Sequence, residues 1–332
     1  MNWNNKEVLI IGGTGSLGKA LTKELLANNL PKGIRIFSRD ELKQSEMKNE
    51  IKNDYAKRHN LTRIIPDKEI PISYLIGDVR DRKRIELAMK GVNIVVHCAA
   101  LKQVPSGERN PMEAIKTNII GSQNVLLAAL ENRDTAEKVM AISTDKAVYP
   151  INLYGATKLC MERLFIDGNV YSGERQPRFS CCRYGNVLGS RGSVVPLFKK
   201  QYKENKRVTV TDPRMTRFWI TLNQVAKFII QSIEEILGRE IFIPKMGSAG
   251  IGDILRAVNP LDCKIDICGI RSGEKLHEIL ITKEESRRTF ENDNRFKIIQ
   301  EEGVVNPNEF EYRSDTNDKW LSVEEIREMI DG

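Results

Sequence analysis

The stretch Lys6-Glu7-Val8-Leu9-Ile10-Ile11-Gly12-Gly13-Thr14-Gly15-Ser16-Leu17-Gly18 decides the fold. Lys6–Ile11 is short and apolar and reads as a buried strand. Glycines 12, 15 and 18 then open an amphipathic run that reaches Asn28 and reads as a helix. A strand, a glycine turn and a helix in that order begin a β-α-β unit. Outward from it the alternation continues. Gly33–Ser38 is a second strand and Asp40 opens a charged helix. Ile72–Ile76, Asn93–His97 and Lys138–Ser143 are further β-rich runs, with helical stretches at Arg82–Met89 and Pro111–Leu130 between them. Regular alternation of this kind predicts an α/β fold with a doubly wound parallel sheet and helices on both faces.

The same turn has a chemical reading. Glycines let backbone approach a pyrophosphate, and a helix amino terminus offers free N–H groups and partial positive charge. Gly12, Gly15 and Gly18, with Thr14, Ser16 and Leu17 between them, are therefore expected to bind a dinucleotide in a Rossmann-type domain. The second strand ends Ile36-Phe37-Ser38-Arg39-Asp40. An NAD site would place a carboxylate at that strand tip for the ribose 2′-hydroxyl. Here Ser38 and Arg39 stand there, a hydroxyl and a guanidinium that suit a 2′-phosphate, with Lys43 close behind. NADP is the cofactor this predicts, and Asp40 is left to cap the following helix.

Tyr154 and Lys158 fall four residues apart where a helix should follow the fifth strand, so they share a face. A nearby ammonium favours phenolate, which lets Tyr154 take a proton from a substrate hydroxyl. Just upstream, Ser143-Thr144-Asp145-Lys146 sets an acid and a base side by side at the end of a strand. A dehydration needs both, and a lysine serves as base once desolvation or neighbouring charge lowers its pKa.

Composition bounds the rest. The 332 residues are 40% hydrophobic and 29% charged, as in an ordinary globular protein. No apolar run is long enough to span a bilayer and none has signal-peptide form, so a cytoplasmic protein is expected. The net charge of +7, from 52 basic and 45 acidic residues, is spread along the chain. That argues against nucleic acid and suits an anionic small molecule. The six cysteines show no metal-ligand spacing and read as reduced structural thiols, and His97 reads as packed. No metal is expected. Lys48–Pro71 looks like an extended helix and exposed loop inserted before the third strand, and Lys319–Ile330 like a short amphipathic helix. The division this predicts is a dinucleotide domain over 1–184, with 218–245 returning to it, and a smaller substrate-binding part from 185–217 and 246–332.

The Gly-x-x-Gly-x-x-Gly spacing resembles the short-chain dehydrogenases of the extended type. In that family Asp78-Val79 holds the adenine, and Ala99-Ala100 are the small residues that let the cofactor pass. More closely, the chain resembles the inverting UDP-N-acetylglucosamine 4,6-dehydratases of capsular-polysaccharide and pseudaminic-acid biosynthesis. The likeness runs through Gly12–Gly18, Ser38–Gln44, Gly77–Asp81, Ala99–Pro105, Ser143–Lys158, Arg183–Val187, Arg191–Pro196, Met215–Phe218 and Gly269–Glu278. The resemblance implies that Tyr154 deprotonates the hydroxyl at sugar carbon 4 while Thr144 polarises that oxygen, with NADP taking and later returning a hydride. Lys146 would remove the proton at carbon 5 and Asp145 would help water leave carbon 6. Retaining relatives usually have Asp-Glu where this chain has Asp145-Lys146, so inversion is implied. Lys102, Asn186, Arg271 and Glu274 match positions that contact the sugar or UDP, and a homo-oligomer, up to a hexamer, is implied too. Two rivals remain: a UDP-sugar 4-epimerase using the same cofactor and Tyr154, and a non-catalytic NADP-binding protein.

Overall fold

The computed structural model describes residues 1–63, 65–190, 193–258, 263–300 and 306–331, apart from the side chain of Lys68. Arg191 and Gly192 of the Arg191–Pro196 motif lie outside the described residues. Nine strands form the main sheet. Across it they run Thr289–Glu291, Arg295–Ile299, Glu240–Pro244, Arg178–Cys182, Lys138–Ile142, Ile94–His97, Glu7–Ile11, Gly33–Ser38 and Ile72–Ile76. The seven from Glu240–Pro244 onward are mutually parallel. The first strand is therefore central, with Ile10 in register with Ile36 on one side and Val96 on the other. Leu9, Ile10 and Ile11 have no exposed surface, as expected for a strand covered on both faces. Burial of each such side chain stabilises the sheet by about 1.5–3 kcal/mol.

The connections obey local rules that the sequence announces. Asp40 caps the helix Glu41–Arg58 by accepting from Lys43 N at 3.0 Å, and Asp81 caps Arg82–Met89 through Arg84 N. Asn152 caps the helix Leu153–Asp167 by accepting from Gly155 N at 2.8 Å, which fixes Tyr154 in its first turn. The stretch Pro111–Glu131 is helical but contains a π-helical segment, Lys116–Ile120.

A second, smaller body has its own core, built around Leu188, Phe198, Trp219, Ile254, Leu321 and Ile326. It holds a three-stranded sheet of Gly247–Gly250, Thr216–Ile220 and Asn186–Val187, and a parallel pair of Arg207–Val210 with Lys264–Ile267. The helix Leu222–Glu234 returns to pack on Ser16–Glu24, and Glu240–Pro244 rejoins the main sheet.

One boundary differs from the expected division. Residues 289–299, placed with the substrate-binding part by sequence, form an antiparallel hairpin that extends the main sheet along Glu240–Pro244. The physical reason is edge protection: without it Glu240–Pro244 would present an open row of backbone groups. The terminal helix spans Val323–Asp331. Among the described residues no helix is long and apolar enough to cross a membrane, and no cluster of His, Cys, Asp and Glu could hold a metal ion.

Candidate active site

A cleft of about 640 Å³ opens at the carboxyl ends of the parallel strands and runs from the glycine turn to the start of the helix Leu153–Asp167. Its first half is the turn itself. Gly12 has φ of +81°, a conformation that favours glycine, and a Cβ there would meet the Ala99 backbone at 2.7 Å. A Cβ at Gly18 would lie 2.4 Å from the Gly13 carbonyl oxygen. The glycines thus press the helix Ser16–Glu24 against the strand end and leave bare backbone facing the cleft. Thr14, Gly15, Ser16 and Leu17 line the same wall, and Ala99 and Ala100 form the opposite one. Bare backbone at a helix amino terminus suits an extended ligand with anionic groups.

Ser38, Arg39, Lys43 and Val79 close the far end. Arg39 is more than half exposed and sits 3.6 Å from Asp78, while Lys43 pairs with Asp40 at 2.6 Å. Both cations are thus loosely held at the surface, available to an incoming phosphate. Asp78 lies just behind the cleft rather than on its wall. Burial pushes its carboxyl up, but Arg80 at 2.7 Å and then Arg39 outweigh this and hold it below the usual carboxylate range.

At the other end stand Thr144, Lys146, Tyr154, Lys158, Lys102 and Asn186, all on the wall. A glycine brings the two catalytic stretches together: a Cβ at Gly155 would sit 2.1 Å from the Lys146 carbonyl oxygen. Thr144 donates to Asp145 Oδ1 at 2.8 Å and stands beside the Tyr154 hydroxyl, favouring its phenolate. Lys146 Nζ lies 3.1 Å from Asp145 Oδ1 and 3.3 Å from Glu278 Oε1. Asp145 has no exposed surface, does not reach the cleft, and its Oδ2 lacks a hydrogen bond among the described residues.

The charge states differ from those expected. Burial alone would lower the pKa of Lys146, but the carboxylates of Asp145 and Glu278 outweigh it and Arg217, so the ammonium is favoured. Burial pushes Tyr154 up to about 12, with Lys146 and Thr144 pulling the other way. Lys158 Nζ donates to the Ile142 carbonyl and to Met161 Sδ rather than to Tyr154, and burial lowers it to about 8. The cation that favours a Tyr154 phenolate here is Lys146, while the Lys158 ammonium is spent on the Ile142 carbonyl and Met161 Sδ. Burial and then the charge of Lys146 also lower Lys102.

Arg271 and Glu274 fall outside the cleft wall. Their loop is docked at its mouth, where Asn152 donates to the Gly273 carbonyl at 2.8 Å and Glu274 accepts from Arg271 N at 3.3 Å. Sequence reasoning missed Glu278, Arg217 and Lys275, which crowd behind Lys146. It also missed Asn118, in the π-helical segment, which holds Leu101 and donates to Thr157 at 2.9 Å. No spacing pattern marks these, because each meets its partners only through the fold. His97 is buried, stacked on Phe165 and 3.0 Å from Ser122, with burial holding it down at about 3. Cys181 and Cys182 are unbonded and buried.

Comparison with known proteins places this geometry in context. A family profile described as polysaccharide biosynthesis protein matches residues 8–300. A UDP-N-acetylglucosamine 4,6-dehydratase (inverting) of Campylobacter jejuni subsp. jejuni serotype O:23/36 (strain 81-176) is 46% identical, covering 99% of this chain and 98% of that protein. A UDP-glucose 4-epimerase of Rickettsia bellii (strain RML369-C) is 39% identical, covering 98% of this chain and 95% of its own. Among solved structures, that of Pen from Bacillus thuringiensis superposes with a TM-score of 0.89 at 39% identity, over 99% of this chain and 98% of that one.

Proposed function

This chain belongs to the polysaccharide biosynthesis protein family, and from that premise we propose that it is an NADP-dependent UDP-N-acetylglucosamine 4,6-dehydratase. It inverts carbon 5, giving a UDP-2-acetamido-2,6-dideoxy-hexos-4-ulose for a bacterial-type surface glycan, and works in the cytoplasm as a homo-oligomer. The observation that carries the reading is the Lys146 amine on the cleft wall, 3.1 Å from the Asp145 carboxylate and beside Tyr154. An epimerase has no elimination to perform and no use for this acid–base pair. The dehydratase relative at 46% identity supports the same choice.

The residues fit a dinucleotide. The bare turn at Gly12–Gly18 suits the pyrophosphate, and Arg39, Ser38 and Lys43 suit a 2′-phosphate, which favours NADP over NAD. When bound, the nicotinamide supplies a hydride acceptor and then a donor. The chain's own groups do the proton work. Tyr154 takes the proton of the hydroxyl at carbon 4, with Thr144 beside it. Lys146, as free amine, removes the proton at carbon 5, which the ketone at carbon 4 has made acidic. The proton that Lys146 has taken then goes to the hydroxyl on carbon 6, which leaves as water, with Asp145 buried behind Lys146 to hold and balance that ammonium. Protonation of carbon 5 from the opposite face inverts it. Lys102 and Asn186 face the sugar, and Arg271 with Glu274 meets the UDP from the loop that Asn152 holds through the Gly273 carbonyl.

Mass spectrometry of UDP-N-acetylglucosamine incubated with the protein and NADP in deuterated water tests the reading. The expected product has lost one water and carries one solvent deuteron at carbon 5. A product of unchanged mass with altered carbon 4 would make the protein an epimerase, as the Rickettsia relative is named.

A further inference from the structure

Glu278 takes no part in the chemistry ascribed to the cleft, yet its carboxylate is almost fully buried and stands 3.3 Å from Lys146 Nζ. It comes from the segment that follows the Arg271–Glu274 loop and leads into the strand Ile279–Ile281. Its Oε1 also faces Arg217 Nε at 3.7 Å, and its Oε2 faces Lys275 Nζ at 3.8 Å without a hydrogen bond among the described residues. One buried carboxylate is thus spread over three cations. The segment is anchored at both sides: Lys275 donates to the Val148 carbonyl, and Ser314 accepts from Glu278 N at 2.9 Å.

A buried carboxylate held in this way is costly unless its charge is answered. Arg217 and Lys275 answer it even when Lys146 is neutral, so Glu278 is not bound to keep Lys146 charged. The groups that act on Lys146 are Asp145 and Glu278 on the negative side, Arg217, Lys102 and Lys275 on the positive side, and the Tyr154 phenol. Of these, Asp145 is fixed by its own hydrogen bond from Thr144. Glu278 also stands within ion-pair distance of Arg217 and Lys275.

We propose that Glu278 is the positioning residue for Lys146: from behind the cleft wall it orients the amine and, balanced against Arg217 and Lys275, sets the pH at which that amine becomes a base. Its consequence for turnover rests on the dehydratase reading, but its effect on Lys146 can be read without turnover. Removing the Glu278 charge makes Lys146 easier to deprotonate. Removing the Lys275 charge strengthens the hold of Glu278 on Lys146 and makes it harder. A merely structural role would give no such opposite signs.

The test is competitive acylation of lysines with trace acetic anhydride across pH 7–10, read by peptide mass spectrometry, with exposed Lys200 as internal reference. In Glu278→Gln, Lys146 should label about tenfold faster than in wild type at pH 9, the equivalent of about one pH unit. In Lys275→Met it should label several-fold more slowly. The acidic limb of the deuterium-incorporation profile should move to lower pH in Glu278→Gln by a similar amount. Labelling of Lys146 within twofold of wild type in the folded Glu278→Gln protein, or a shift of the same sign in both variants, overturns the proposal. If Glu278→Gln does not fold, unchanged labelling in Lys275→Met overturns it alone. Failure of wild type to release water from UDP-N-acetylglucosamine would sink the dehydratase reading while the labelling still decides the role of Glu278.

Discussion

At the dinucleotide end of the cleft, the wall comes mainly from two consecutive strand ends, Gly12–Gly18 and Ser38–Lys43, each read in its own local context. At the sugar end, Lys146 is surrounded by Asp145 beside it, Arg217 on the strand Thr216–Ile220, and Lys275 and Glu278 from a segment near the carboxyl terminus. The first end is backbone, shaped by where a Cβ cannot fit. The second is side-chain charge, shaped by which segments the fold brings together. Binding of a phosphate can be specified by a few neighbouring residues; control of a proton needs counter-charges on several sides.

The largest expected effect separates the two ends outright. Lys146→Ala should lower dehydration by on the order of 10³-fold or more, within the range for loss of a general base and its charge network. Binding of NADP, followed by fluorescence titration, should change little. A variant that loses cofactor affinity in step with turnover would show that the two ends are not separable. A smaller effect probes their junction. Gly155→Ala would drive a Cβ into the Lys146 carbonyl oxygen at 2.1 Å, and that backbone atom cannot swing aside, so the helix carrying Tyr154 must shift. Turnover should fall by about a hundredfold, as expected for a displacement of the order of an ångström at the reacting groups. Wild-type turnover in this variant would mean that the contact does not position Tyr154.

At the other end the expected loss is milder. Arg39→Ala removes a half-exposed guanidinium, so its affinity for NADP should fall by about tenfold, near 1.4 kcal/mol, while NAD is weakened far less. Equal losses for both cofactors would remove the argument for a 2′-phosphate at this strand tip.

The same contrast explains what could be read in the sequence. The strands Gly33–Ser38 and Ile72–Ile76 and the helix Arg82–Met89 have the bounds that apolar runs and capping residues predict, because those signals are local. The hairpin at 289–299 joins the main sheet along Glu240–Pro244, and its own sequence does not say which edge it will cover. Tyr154 is marked by its spacing from Lys158 and Lys146 by its place beside Asp145, while Thr144 is marked by family resemblance; all three line the cleft. The partners of Lys158 and the carboxylate behind Lys146 were not legible in the sequence, because both depend on contacts made across the fold.

Lys158 lies where the two ends meet, and it yields the smallest effect. Burial lowers its pKa from the ordinary 10.5 to about 8, outweighing the more distant Glu162 charge, with its ammonium hydrogen-bonded to the Ile142 carbonyl and Met161 Sδ. The unfolded chain therefore binds more protons than the folded one between about pH 8 and 10.5, and stability must rise with pH through that window. Each unit of depression is about 1.4 kcal/mol, or on the order of 2–4 °C in melting temperature for a chain of this class. Lys158→Met removes this dependence while keeping the volume. The difference in melting temperature, wild type minus variant, should grow by several degrees from pH 7.5 to 10, with other titrating groups cancelling in the subtraction. A flat difference would mean that Lys158 has access to solvent or to a counter-charge. It would then belong with the charge-built sugar end rather than with the buried backbone that supports the dinucleotide.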